Sequence, residues 1–205
     1  MKKFDFERLK RIRLQKADLT KITDRMLLIN LYFTQLLTLL AALGIMWLQK
    51  RNPLGVLALP DSYIPWVWGL VFACVVFAAD ALISRWVPEE FSDDGGINEK
   101  LFGRRPVWHI ALISLIVAVC EEMLFRGAIQ YMIGPYWTSI VFATLHVRYL
   151  RHWLMTGLTF SISYGLGWIA VQTGSLWTPI AAHFIIDLVM GLTIRFRGST
   201  DRDEA

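Results

Sequence analysis

Glu121 and Glu122 stand side by side at the end of an otherwise apolar run that begins at Val107, and Arg126 follows four residues after the second of them. A charged side chain at the centre of a membrane helix costs about 2.5–3.5 kcal/mol even on the lenient insertion scale. Two adjacent carboxylates in such a run therefore need partners, a task, or both. The offset from Glu122 to Arg126 is one helical turn, in the acid-then-base order that favours pairing. Adjacent helical residues point about 100° apart, so the two glutamates cannot share one role. Glu122 is read as the structural partner of Arg126. Glu121 has no such local partner and is the candidate general base toward water.

Three further polar groups belong with the pair. His146 closes the segment Phe142-Ala-Thr-Leu-His146, and His183 and Asp187 stand four residues apart, on one helix face. Glu121 lies 13 residues before Gly134, His146 lies 12 after it, and Asp187 lies 13 after Gly174. At 1.5 Å rise per residue each is roughly 18–20 Å from its turn. Three helices thus bring costly groups to one layer, with His183 a turn closer to Gly174. In that layer His146 is expected to share a proton with Glu121 or steady its water. His183 and Asp187 are expected to stabilise a developing oxyanion. The reaction class is acyl hydrolysis by activated water within a membrane.

Two other chemistries use the same residue types. Glu121, His146 and His183 are zinc-type ligands, and zinc would lower the pKa of bound water, although no His-Glu-x-x-His helix is present. Intramembrane Glu, His and Asp also build proton relays, but no inverted pair of interrupted helices is visible. A serine nucleophile has no Gly-x-Ser-x-Gly to sit in. His109, beside Trp108, is read as interfacial.

The elements that must position these groups are membrane spans. The 205-residue chain is 55% hydrophobic before glycine is counted, above the roughly 45–50% that soluble domains reach with glycine included. Apolar stretches near the spanning length of about 20 residues recur along it. The expected fold is all-α, a polytopic membrane protein of about six spans: 26–48, 63–86, 106–133, a short 136–147, 153–173 and 176–194. Turn compositions at Gly134-Pro135 and Thr173-Gly174-Ser175 separate the last four. Residues 1–25 form a basic segment, 26–105 hold two spans and a polar loop, 106–195 are the catalytic core, and 196–205 are a tail.

Lysines and arginines cluster in the N-terminal segment, the 87–106 loop, the 148–152 link and the tail, which places both termini in the cytoplasm. Lys50 and Arg51 alone run against that pattern. The net charge of +4 is thus a matter of topology and lipid contact, with no nucleic acid implied. The N-terminal basic region is too long for a cleaved signal peptide. It reads as a surface-lying amphipathic helix or a solvated tail. Cys74 and Cys120 fall within spans and imply no disulfide framework. Gly157, Ser161 and Gly165 make a small-residue stripe suited to close helix packing.

Glu121-Glu122-x-x-x-Arg126, Phe142-x-x-x-His146 and His183-x-x-x-Asp187, in that order on helices, resemble the three signature motifs of the CPBP family. These are the type II CAAX prenyl proteases and bacteriocin-processing proteases, also called Abi. The resemblance covers about 115–192. It implies an all-helical intramembrane endopeptidase in which Glu121 activates water, His146 and His183 are the motif histidines and Asp187 takes the Asn/Asp position. Glu122, Arg126 and Phe142 then support the site. The family has been described both as metalloproteases and as metal-free glutamate-dependent proteases, which leaves zinc open. The implied partners are the lipid bilayer and a peptide or membrane-protein substrate, and the implied location is a bacterial plasma membrane. Peptide maturation, bacteriocin self-immunity or cleavage of a membrane-protein tail fits better than CAAX processing. A non-catalytic scaffold for a sensor kinase or envelope protein is the alternative.

Overall fold

The computed structural model describes residues 23–86, 96–147, 150 and 153–203, with side chains described as far as Arg197. The N-terminal segment, read as an amphipathic helix or a solvated tail, residues 87–95 of the expected 87–106 loop and the basic positions Arg148, Arg151 and His152 lie outside the described residues. Every regular element within them is helical. In chain order these are α1 (Asp24–Leu48), the single turn α2 (Pro53–Val56), α3 (Ile64–Ile83), α4 (Ile97–Phe102), α5 (Val107–Glu122), a π-helical segment (Met123–Ile129), α6 (Gln130–Leu145), α7 (Trp153–Thr173) and α8 (Trp177–Asp203).

Among the described residues five helices are long and apolar enough to cross a membrane: Asp24–Leu48, Ile64–Ile83, Val107–Leu145 taken through its break, Trp153–Thr173 and Trp177–Arg197. The molecule is an all-α polytopic membrane protein. Its outward faces carry exposed Ile29, Phe33, Leu36, Leu40, Leu70 and Val75, the arrangement expected where lipid rather than water surrounds the bundle.

The third of these spans is two arms. Gly134 has φ 74° and ψ 171°, outside any helix, and glycine takes a positive φ without the steric cost that a Cβ brings. Pro135 follows and cannot donate into the preceding turn. The rings of Phe125 and Phe142 lie 4.7 Å apart. On one unbroken helix those residues would be about 25 Å apart, so the chain reverses at Gly134. The expected hairpin is therefore present, and its second arm is short. From Gly134 to Leu145 it rises only about 16 Å, roughly half of a 30 Å hydrocarbon core.

Within the first arm the hydrogen-bond register changes to π over Met123–Ile129. Backbone carbonyls there find partners in the loop after α1. Gln49 Nε2 donates to Ala128 O at 2.9 Å, and an Arg51 guanidinium nitrogen donates to Gly127 O. Such pairing is required where no water can satisfy a freed carbonyl. It also accounts for Arg51, one of the two basic residues that break the charge pattern: its side chain turns back onto the bundle. The same end is closed by Trp177 Nε1, which donates to Leu57 O at 3.0 Å. At the opposite end Tyr32 Oη lies 2.9 Å from His109 Nε2, and Arg195 Nε donates to Arg105 O at 3.0 Å. His109 is thus a hydrogen-bonded link between α1 and α5.

Buried apolar residues form one cluster around Ala42, Met46, Ala118, Met123 and Ile180, and a second around Leu101, Phe102, Ile110 and Ile113. α8 packs against both α3 and α5 and runs on as helix past the expected end of its span to Asp203.

The small-residue stripe on α7 is used at one end only. A Cβ on Gly165 would meet the Phe72 ring, whereas one on Gly157 would meet nothing within 4 Å, and Ser161 is exposed. A close approach between helices is instead at Gly69 on α3, where a Cβ would lie 2.8 Å from Thr178 O and 3.1 Å from the Ala181 Cβ. Gly69→Ala should therefore lower stability by about 1–3 kcal/mol, the usual cost of overpacking. Gly157→Ala should leave it level or slightly raised. Thermal unfolding of the two purified variants in detergent checks the contrast.

Candidate active site

α5 ends on the glutamate pair, and the π-helical segment begins directly after it. The two side chains part as their helical offset requires. Glu122 is fully buried. Its Oε1 accepts 2.9 Å from an Arg126 guanidinium nitrogen and 2.8 Å from His183 Nδ1. The second terminal nitrogen of Arg126 donates to Ser163 O at 2.7 Å and Ser163 Oγ at 2.8 Å. His183 Nε2 lies 3.5 Å from Asp187 Oδ2. One carboxylate thus joins the first arm of the hairpin to α8, and through Arg126 to α7. The ion pair assigned to Glu122 and Arg126 is present. The contact from Glu122 to His183 is an addition that no local spacing could reveal.

Glu121 is half-buried and takes a different partner. Gln35 of α1, itself buried, donates from Nε2 to Glu121 Oε1 at 3.3 Å, and Gln35 Oε1 is buried without a hydrogen-bond partner. Neither Gln35 nor Ser163 stood out in the sequence reading. The signal for Gln35 was available: an amide in the middle of a span is costly unless bonded. Ser163 carried no such signal, because α7 has several small polar residues.

His146 caps α6, with its Nδ1 2.8 Å from Phe142 O and its ring stacked on Phe142 at 4.3 Å between centroids. Phe142 also meets the Phe125 ring edge-on and lies 5.3 Å beneath the Arg126 guanidinium. Phe142 therefore links the His146 end of the second arm to the Glu122–Arg126 pair of the first. Phe125 and Phe142 face each other across the hairpin. One turn further from Gly134 on each arm lie Glu121 and His146, which puts them at the same level to within about a turn.

The donors expected for zinc were Glu121, His146 and His183. Both ring nitrogens of His183 already face carboxylates, and Glu121 is bound by Gln35. Among the described residues no group of three or more His, Cys, Asp or Glu side chains is arranged to hold a metal ion. The residues present do not fit a zinc site, and no step below passes through one.

Residues 103–189, which hold every group just described except Gln35, match the family described as type II CAAX prenyl endopeptidase Rce1-like. The chain is also 42% identical over 166 residues to the uncharacterized protein YpbD of Bacillus subtilis (strain 168), an alignment that covers 80% of this chain and 87% of that one. No solved structure matches the chain. The chain belongs to the Rce1-like family of type II CAAX prenyl endopeptidases, a family of membrane proteases.

Removing one partner of a buried ion pair leaves the other uncompensated, at a cost of about 3–5 kcal/mol. Glu122→Gln should destabilise the protein on that scale. Glu122→Gln with Arg126→Met should recover much of the loss, because it removes both charges together. Unfolding of the single and double variants in mixed micelles measures the coupling, and strictly additive losses would contradict it.

Proposed function

We propose that this protein is an intramembrane endopeptidase that hydrolyses a peptide bond with water activated by Glu121. The observation that carries this reading is the division of labour within the glutamate pair. Glu122 is fully buried and its Oε1 is engaged by Arg126 and His183. Glu121, one residue away, is half-buried and, among the described residues, is held by a neutral amide. A general base must reach water and accept a proton, and of the two carboxylates Glu121 meets both conditions.

In the proposed reaction Glu121 takes a proton from water as the oxygen attacks the substrate carbonyl carbon. The carbonyl π electrons move onto oxygen and give a tetrahedral oxyanion. Collapse of that intermediate breaks the C–N bond, and the proton passes to the leaving amine. His146, at the level of Glu121, steadies the water and shares the proton. His183 is oriented by Glu122 through Nδ1, the same logic by which a buried carboxylate fixes a catalytic imidazole. Its Nε2 side, next to Asp187, is the proposed oxyanion locus. An aspartate beside an oxyanion needs a cationic neighbour, and the imidazole 3.5 Å away provides one when protonated. The proposed substrate is a peptide or the tail of a membrane protein. The proposed setting is the plasma membrane.

General-base assistance contributes about 10²–10⁴-fold. Glu121→Gln is accordingly expected to abolish cleavage to that extent while the protein still folds and inserts. Comparing the membrane peptidomes of cells carrying wild-type and Glu121→Gln protein provides the test, and peptide-bond cleavage that survives unchanged would end the reading. Gln35→Leu should slow turnover about 10–100-fold, as losing an orienting partner typically does, with KM little changed in the same cleavage assay.

A further inference from the structure

A cavity of about 590 Å³ opens at the end of the bundle that carries the Gly134 and Gly174 turns. Its polar wall comes from three parts of the chain: Arg51 and Asn52 after α1, Arg126, Gln130 and Tyr131 of the first hairpin arm, and Ser175 ahead of α8. The remaining lining residues are glycine or apolar, and no Asp or Glu is among them.

The charge balance of this cavity is one-sided. Arg126 is matched by Glu122, but its Nε is buried without a partner among the described residues. Arg51 has no carboxylate partner among them. Its guanidinium lies 4.2 Å from the centroid of the Tyr131 ring and gives one hydrogen bond to Gly127 O, out of five N–H donors that the group offers. The wall also leads into the N-terminus of α8, where the helix dipole adds positive potential. A pocket with a preorganised guanidinium, a second arginine at its edge and no acid selects an anion. The planar fork of arginine suits phosphate oxygens in particular.

We propose that this cavity binds a phosphate group, supplied by the headgroup of an anionic phospholipid. The lipid source is favoured by the wall itself. Val171 lines the cavity and is 58% exposed on the outside of the bundle, so the opening reaches the lipid-facing surface. Val56 and Leu176 continue the apolar lining inward. A headgroup can thus enter sideways from the bilayer while its chains remain outside. The site is separate from the hydrolytic groups and does not depend on Glu121 acting as a base.

Asn52 offers a test that leaves the backbone alone. Its Oδ1 caps the turn α2 by accepting from Leu54 N at 3.0 Å, a bond that an aspartate makes equally well. Asn52→Asp therefore adds a negative charge to the wall without removing the cap. Arg51→Gln removes the cation, and circular dichroism verifies that both variants keep their helices. Native mass spectrometry of the full-length protein, released from vesicles of phosphatidylcholine with phosphatidylglycerol, counts the lipids retained.

The wild-type protein should hold phosphatidylglycerol over phosphatidylcholine by about fivefold or more, the preference expected from one arginine at an anionic surface. Both variants should fall to parity. A parallel titration with inorganic phosphate separates the sources. Saturable binding lost in the same variants, without lipid preference, keeps the phosphate site and assigns it a soluble ligand. Parity in the wild-type protein with no phosphate binding overturns the proposal, as does a preference that both variants retain.

Discussion

The structure turns on a carboxylate with no contact with water. Glu122 Oε1 takes both Arg126 and His183, while Oε2 is buried without a hydrogen-bond partner among the described residues. Inside a bilayer, apolar side chains gain nothing by choosing one neighbouring helix over lipid, so packing shape and polar contacts decide which faces meet. Glu122 makes such a contact to α8 through His183 and, by way of Arg126, to α7. A buried ion pair is a poor source of net stability, because desolvation opposes the Coulomb gain. It is a strict geometric constraint, however, since any arrangement that separates Glu122 from Arg126 and His183 strands a charge in a low-dielectric interior. That constraint fixes the rotation of α8 against α5. Through Arg126 and Ser163 it also fixes α7.

The two glutamates show how one sequence position can be made rigid and its neighbour responsive. Glu122 Oε1 is held by donors from two other elements. Glu121, turned by one residue, accepts from the amide of Gln35 of α1. The first span therefore contributes to the site although it lies outside the family-matched region of 103–189. The hairpin supplies the remaining geometry, since the reversal at Gly134 brings His146 back to the depth of Glu121.

Much of this was legible in the residues. The cost of burying charge singled out Glu121, Glu122, His183 and Asp187, and the i,i+4 offsets gave the Glu122–Arg126 pair and put His183 and Asp187 on one helix face. Gly134-Pro135 marked the reversal. What remained hidden was interhelical. Spacing along one helix says nothing about which neighbour a side chain faces, so the bond between Glu122 and His183 and the role of Gln35 were not read. The stripe of Gly157, Ser161 and Gly165 misled for the same reason: small residues permit close approach, but among the described residues only Gly165 has a neighbour positioned to use it. The π register over Met123–Ile129 was also invisible. It depends on which carbonyls acquire outside partners, here through Gln49 and Arg51, rather than on any local propensity.

That π-helical segment also bears on how the protein tolerates change in length. A loop absorbs a residue gained or lost with little effect on the elements it joins. Here the glutamate pair lies before the segment and the hairpin turn after it, with the count of residues between them held inside a helix. Deleting one residue would let the turn tighten to an ordinary α-helix, a locally more comfortable state. It would also remove the freed carbonyls that Gln49 and Arg51 meet at Ala128 and Gly127, and would leave those two donors without their partners. The segment carries a surplus residue whose freed carbonyls are matched by the loop after α1, so insertions and deletions in this family should be rarer there than in any turn.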